Sequence, residues 1–271
     1  MPLEPLLIAQ LVLLGLTTGF LAGLLGIGGG VMMVPFISAI LSHRGVAPEL
    51  SVKMAIATSM ATIIFTSASS VLAQHKRGAL RWDIVRSLSP GIVLGAALAS
   101  LGVFAVLKGD WLGLLFSVFV IFSATQMLLG KKPAPSRTMP GTGGQLAAGG
   151  AIGFMSGLVG AGGAFISVPF MTWCNVAAHQ AVATSAALGF PIAFANVAGY
   201  IVSGWNVQDL PPGAFGYLYL PALLVIAIAS VSMAPLGVRA AHALPVEQLR
   251  RVFAGLLYLL AGYMLYQGLV G

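Results

Sequence analysis

Four glycines in the five residues Gly26–Gly30 break a hydrophobic run, and the break is where this sequence could hold a ligand. A helix that starts there, with Gly28, Gly29 and Gly30 at its head, would carry free N–H groups and about half a positive charge at its N-terminus. Glycine has no side chain, so a ligand can touch those N–H groups directly. The chemistry on offer is anion binding without a charged side chain. The break also occurs twice. GFLAGLLGIGGGVMMVPF at 19–36 and GFMSGLVGAGGAFISVPF at 153–170 share ten of 18 positions at an offset of 134, which puts Gly162, Gly163 and Ala164 at a matching helix start. A duplicated, interrupted hydrophobic segment is the strongest sequence pointer to a transporter's binding site.

A second repeated motif adds hydroxyls. AIATSMA at 55–61 and AVATSAA at 181–187 match at an offset of 126, so Thr58 and Ser59 correspond to Thr184 and Ser185. Their O–H groups suit oxyanion oxygens. The same offset pairs Ser70 with Asn196, a polar residue inside an apolar span that needs a partner. Each assignment has a structural rival. Small residues let membrane helices pack closely, and Ser or Thr in such helices bonds the i−4 carbonyl or a neighbouring helix. Clustering of Gly-x-Gly-Gly at one point, rather than spacing every four residues, weighs against packing alone.

What is missing narrows the chemistry further. The six acids (Glu4, Glu49, Asp83, Asp110, Asp209 and Glu247) all fall near segment ends, so no intramembrane carboxylate is available for a cation. The sequence lacks an HExxH motif, an Asp pair and a Ser–His dyad, so enzyme chemistry is not expected. It calls for no metal and no cofactor. The glycine break lacks the βαβ context of a dinucleotide fold and the Lys-Ser/Thr of a P-loop. The single cysteine, Cys174, excludes an internal disulfide. His43, His75, His179 and His242 lie near segment ends, where an interfacial role is simpler than a proton relay.

These residues sit in a chain built for lipid. Its 271 residues are 58% hydrophobic and 7% charged, with mean hydropathy +0.99. Soluble domains carry about 25% charged residues, so this chain is expected to be an all-α integral membrane protein, multi-pass, in a cell membrane. The net charge of +7 lies in loops and reads as a topology signal rather than a nucleic-acid patch. The N-terminal MPLEPLL has no basic n-region and does not resemble a cleaved signal peptide.

Residues 6–41 form the first broken run, followed by spans at 52–74, 87–107 and 111–129. A Pro/Gly/basic linker, KKPAPSRTMPGTGG at 131–144, is the one obvious internal boundary. The pattern then restarts with a broken run at 145–174 and spans at 179–203, 214–238 and 248–269. The expected organisation is a first repeat at 1–130, a cytoplasmic linker at 131–144 and a second repeat at 145–271.

Basic residues choose between two topologies. If each broken run crossed the membrane once, seven Lys/Arg would lie inside and six outside. If each run enters, breaks and returns, ten lie inside and three (Arg44, Lys53 and Lys108) outside. The second arrangement predicts two inverted repeats, each a Gly-broken helical hairpin plus three transmembrane helices, eight to ten membrane segments in all. Both termini are then outside. The leg Val31–Leu41 has 11 residues, roughly 16 Å of helix and about half the hydrocarbon thickness. Its N-terminus would sit near the midplane, facing its copy from the opposite side.

The two Gly-x-Gly-Gly copies, each followed by Val-Pro-Phe, and the two Ala-Thr-Ser copies resemble the TauE/SafE family of sulfite exporter (TSUP) permeases. The resemblance covers both halves. It implies a permease of the cytoplasmic membrane for small sulfur-containing or organic anions, such as sulfite, sulfoacetate or related sulfonates. The resulting expectation is a secondary transporter, in the export direction, that holds its anion between the two Gly-rich helix starts. An anion channel of the same architecture is the alternative. The expected partners are the small anion and the lipid bilayer, without nucleic acid, and a homo-oligomer is left open.

Overall fold

The structure, a computed structural model, describes residues 4–25, 29–129, 137–243 and 246–270. The first half holds α1 (Pro5–Leu25), α2 (Gly30–His43), α3 (Pro48–His75), α4 (Trp82–Val106, with a π-helical turn at Leu98–Val103) and α5 (Gly109–Leu129). The second half holds α6 (Thr142–Val159), α7 (Ala164–Trp173), α8 (Ala178–Gly204), α9 (Leu220–Ala243) and α10 (Val246–Val270). A short antiparallel pair, β1 (Ala214–Phe215) and β2 (Leu218–Tyr219), precedes α9. The chain is thus an all-α membrane protein, and α1, α3, α4, α5, α8 and α9 are each long and apolar enough to cross a bilayer.

Local sequence explains where these helices begin and end. Pro48 opens α3, where its missing N–H is harmless, and Glu49 sits in the first turn against the positive end of the dipole. Gly29 and Gly163 cap the starts of α2 and α7 with φ of 69° and 76°. That left-handed backbone strains any residue with a Cβ, which is why glycine recurs at this matched position. The linker 131–144 is described from 137 onward, and Gly26 and Gly28 lie outside the described residues.

Each broken run folds back on itself. A cleft is lined by Glu4, Leu7 and Gln10 at the beginning of α1 and by Ala39, Ile40 and His43 at the end of α2, so both ends of this hairpin share one side. The second hairpin does the same: Arg137, just before α6, lies over the ring of Trp173 at the end of α7, 4.7 Å from its centroid.

Helix directions can be read from contacts between the halves. The backbone N–H of Arg81, after α3, donates to Thr184 Oγ1 near the start of α8 (3.2 Å). That of Tyr219, after α8, donates to Thr58 Oγ1 in the first half of α3 (2.9 Å). Hence α3 and α8 run antiparallel. They are the two most buried spans and form the centre of the molecule. The flanking packing is swapped between halves: α1 lies against α9 and α6 against α4, while α5 pairs with α10.

Glycine makes the two flanking contacts close. Gly15, Gly19 and Gly23 of α1 follow Ile226, Ser230 and Ala234 of α9 so tightly that a Cβ on any of them would strike backbone. Gly149 and Gly153 of α6 do the same against Leu88 and Ile92 of α4. Lipid tails are as apolar as leucine, so van der Waals contact between such small-residue stripes holds membrane helices together. The outward surface is apolar, with Leu98, Ile228 and Leu259 exposed, and Trp111 and Trp205 stand at helix ends where an interfacial belt belongs.

Candidate functional site

The two hairpin tips meet inside the protein. A side chain at Gly30 would collide with the carbonyl of Gly160, and a Cβ at Gly160 would lie 3.1 Å from Val34 Cγ2 and 3.2 Å from Ile56 Cα. Gly29, Gly30 and residues 159–165 are buried, among one another, α3 and α8, with Thr18 of α1 and Ile152 and Ser156 of α6 also against them. At about 1.5 Å per residue, α2 (14 residues) and α7 (10 residues) reach roughly 21 and 15 Å into the protein from their C-terminal ends. Their N-termini therefore lie at depth, and neither start is capped by a side chain.

Ser59 joins the tips. Its hydroxyl lies 3.1 Å from the Gly30 carbonyl oxygen and 3.2 Å from that of Gly160, so it donates to one or the other. Its counterpart Ser185 pairs with Ser167 Oγ of α7 at 2.8 Å. Thr58 and Thr184 each accept a backbone N–H from the segment opening α9 or α4. Accepting that bond leaves each threonine its own proton to donate. The four hydroxyls singled out by the repeat thus hold the hairpins and the flanking helices in place, and further along α3 Thr62 and Thr66 bond their i−4 carbonyls.

Asn196 is fully buried. Its Nδ2 donates to the Ile192 carbonyl (2.8 Å), and its Oδ1 has no partner. That oxygen occupies the space a side chain at Gly157 would need. Beside it, Tyr200 donates its hydroxyl to the Gly157 carbonyl. Ser156, the next residue, is 1% exposed and its Oγ also lacks a partner. A Cβ at Gly163 would lie 3.0 Å from that Oγ, so the Ser156 hydroxyl faces the head of α7. Around the second break the structure therefore gathers Gly163, Ala164, Ser156, Gly157, Asn196 and Tyr200.

Most buried polar atoms are hydrogen-bonded, because leaving one bare costs about 1–3 kcal/mol. The Ser156 hydroxyl can donate to a small polar ligand at the head of α7, with the N–H groups of α7 as additional donors, while Asn196 Oδ1 can only accept and needs a ligand that brings an O–H or N–H. Ser70, the counterpart of Asn196, is likewise buried with an unpartnered Oγ. Among the described residues no three His, Cys, Asp or Glu side chains come together.

Gly29, Gly30, Gly163 and Ala164 stand at helix starts as expected, while Gly162 is a buried residue of the turn before α7. Gly28 lies outside the described residues. Sequence reasoning passed over Ser156, Ser167 and Tyr200. It looked for positions shared by both halves, and at Ser156 the halves differ, with Ala22 in the first copy. The residue was legible only as a polar side chain one turn ahead of the break.

Relatives extend across the same region. A Haemophilus influenzae protein described as a probable membrane transporter protein is 36% identical over 250 residues, covering 92% of this chain and 94% of its own. Another so described, from Methanocaldococcus jannaschii, is 26% identical over 275 residues and covers 96% of each chain. A third, from Bacillus subtilis, is 28% identical over 233 residues, 76% of this chain and 84% of its own. No solved structure matches. The family described as sulfite exporter TauE/SafE matches residues 11–264, across both broken hairpins and the helices that hold them, and the chain belongs to that family.

Proposed function

We propose that this chain is a secondary transporter that exports a small sulfur-containing or organic anion, such as sulfite or a sulfonate, with the anion held between the two Gly-rich helix starts. Family membership makes it a multi-pass membrane protein, and its relatives' descriptions agree on membrane transport. The observation that carries the anion reading is the head of α7. It is buried without a side-chain cap, and the unpartnered hydroxyl of Ser156, a donor, faces it. The bare Asn196 Oδ1 beside Gly157 only accepts, which suits an anion that carries a proton, such as bisulfite.

In this reading the repeats are 1–130 and 145–271, joined by a cytoplasmic linker at 131–144, and they are inverted. The antiparallel run of α3 and α8 and the swapped packing of α1 with α9 and α6 with α4 support that inversion. Gly28–Gly30 and Gly162–Ala164 bind through backbone, Thr58 and Thr184 through their free protons, and Ser59, Ser185 and Asn196 line the contact. Moving one hairpin relative to the other would carry one tip away from Ser59, leave its hydroxyl on the other, and open the site to one face, which is alternating access.

The test is counterflow in proteoliposomes with sulfite, thiosulfate, sulfoacetate, sulfolactate and short carboxylates. Saturable exchange of at least one sulfur oxyanion or sulfonate is expected. Conductance without counterflow would make the protein an anion channel instead, and the absence of any anion flux would overturn the proposal.

A further inference from the structure

The tips carry no charged side chain, yet one cation stands close to them. Lys53 lies in the second turn of α3, half-buried within a membrane-spanning helix. Its Nζ donates to the Ala105 carbonyl (3.4 Å) and sits 5.8 Å from the Phe104 ring centroid and 5.6 Å from that of Tyr217. Among the described residues it forms no ion pair, although Glu49 is one turn away on the same helix. An ionisable residue inside the membrane is costly and normally pairs with another charge. The Lys53 ammonium is held by rings and a carbonyl, with the Glu49 carboxylate attracting it from beyond ion-pair distance, so it can still meet an anion directly.

Its position ties it to the tips. Ile56, three residues on and so on the same face of α3, has its Cα beside Gly160. Phe104 packs on Tyr200 (4.4 Å between centroids), and Tyr200 donates to Gly157. The strap that brings Tyr217, residues 214–219, also brings Tyr219, whose buried hydroxyl has no partner. The matching position in the second half is His179, exposed near the start of α8. Because α3 and α8 run antiparallel, these two basic side chains stand at opposite mouths.

We infer that Lys53 is an anion-binding residue at the outer mouth, where α3 begins, one turn from the hairpin tips, which receives a small oxyanion from the tips on its way out and rebinds it from that face during exchange. The inference rests on the anion reading above. The phenyl and phenol rings hold the ammonium in place without neutralising it, so an arriving anion meets a desolvated charge. A fixed cation in a low-dielectric setting attracts an anion more strongly than it would in water.

Lys53→Met keeps the apolar stem and removes the charge; Lys53→Arg keeps the charge. With full-length protein in proteoliposomes and sulfite as the probe, Lys53→Met is expected to raise the half-saturating concentration about tenfold while the maximal rate stays within about twofold. It should also flatten the dependence of uptake on ionic strength. Lys53→Arg should restore both. An unchanged half-saturation in Lys53→Met, with wild-type protein transporting sulfite normally, overturns this inference and leaves the transport reading intact. A parallel fall of maximal rate and melting temperature at unchanged half-saturation makes Lys53 a clamp on the strap and overturns it too. Wild-type protein that neither transports nor binds any of the anions overturns both.

Discussion

Asn196 and Ser156 separate stability from function most clearly at the level of single residues. Both are buried with a bare polar atom, and such an atom costs about 1–3 kcal/mol when nothing completes it. Asn196→Leu keeps the volume and removes the bare carbonyl. The Ile192 carbonyl that it releases lies within a helix and keeps its backbone bond. The variant should therefore melt at the same temperature as wild type or higher, and transport should fall at least about tenfold, a loss of roughly 1.4 kcal/mol of binding. Ser156→Ala should behave alike. A thermal shift assay beside the counterflow assay reads both quantities, and normal flux in Asn196→Leu would remove it from the site. Ser59 is a different case. Its hydroxyl holds Gly30 or Gly160, so Ser59→Ala should lower stability by about 1 kcal/mol, the net worth of one hydrogen bond, by loosening the tips.

Among the helices, the glycines of the repeat fall into two jobs. Gly15, Gly19 and Gly23, spaced every four residues, bring α1 onto α9, and Gly149 and Gly153 bring α6 onto α4. Gly29 and Gly163 instead provide left-handed caps for α2 and α7. Gly19→Leu would drive a side chain into the Ser230 backbone, so the yield of folded protein in detergent should collapse. Gly262→Ala, in α10, meets nothing within 4 Å and should leave yield and melting temperature unchanged or slightly raised. Equal yields from the two would mean that α1 and α9 do not pack through this stripe. Gly29→Ala should show an intermediate loss, about 1–2 kcal/mol of backbone strain, sharpened by the Thr18 carbonyl 2.7 Å from the new Cβ.

Topology is the prediction that belongs to the whole molecule. Two returning hairpins leave three crossing helices in each half, an odd number, so the expectation is that the second half faces the other way. Reporter fusions or cysteine labelling should find both termini outside, with the 76–81 loop and the 131–144 linker in the cytoplasm. A cytoplasmic C-terminus would refute this orientation. The two faces are also dissimilar in build. After α3 the chain turns back through a short basic loop in which Arg81 pairs with Asp83 (2.9 and 2.6 Å). After α8 it makes a β-strap whose Tyr217 N–H bonds the Tyr200 carbonyl. One mouth is therefore covered by an ordered hairpin and the other by a loop.

By itself the sequence determined the class of molecule and its plan. Hydropathy and scarce charge require a membrane protein. The duplicated glycine break and the basic-residue count imply hairpins that return, and α1 with α2 and α6 with α7 do lie that way. Helix limits shifted by a few residues, and the strap at 214–219 went unseen because residues assigned to the head of a span form two short strands instead. Only the tertiary structure decided what each polar residue does. Spacing named Thr58, Ser59, Thr184 and Ser185 because they recur, but whether a hydroxyl meets a backbone group or is left bare depends on which helix arrives opposite it. Ser156 and Lys53 do not recur as the same residue in the other half, and they matter through neighbours distant in sequence: Gly163 and Asn196 for one, Phe104 and Tyr217 for the other. A repeat records what both halves share. The two tips differ, and that difference exists only where the halves touch.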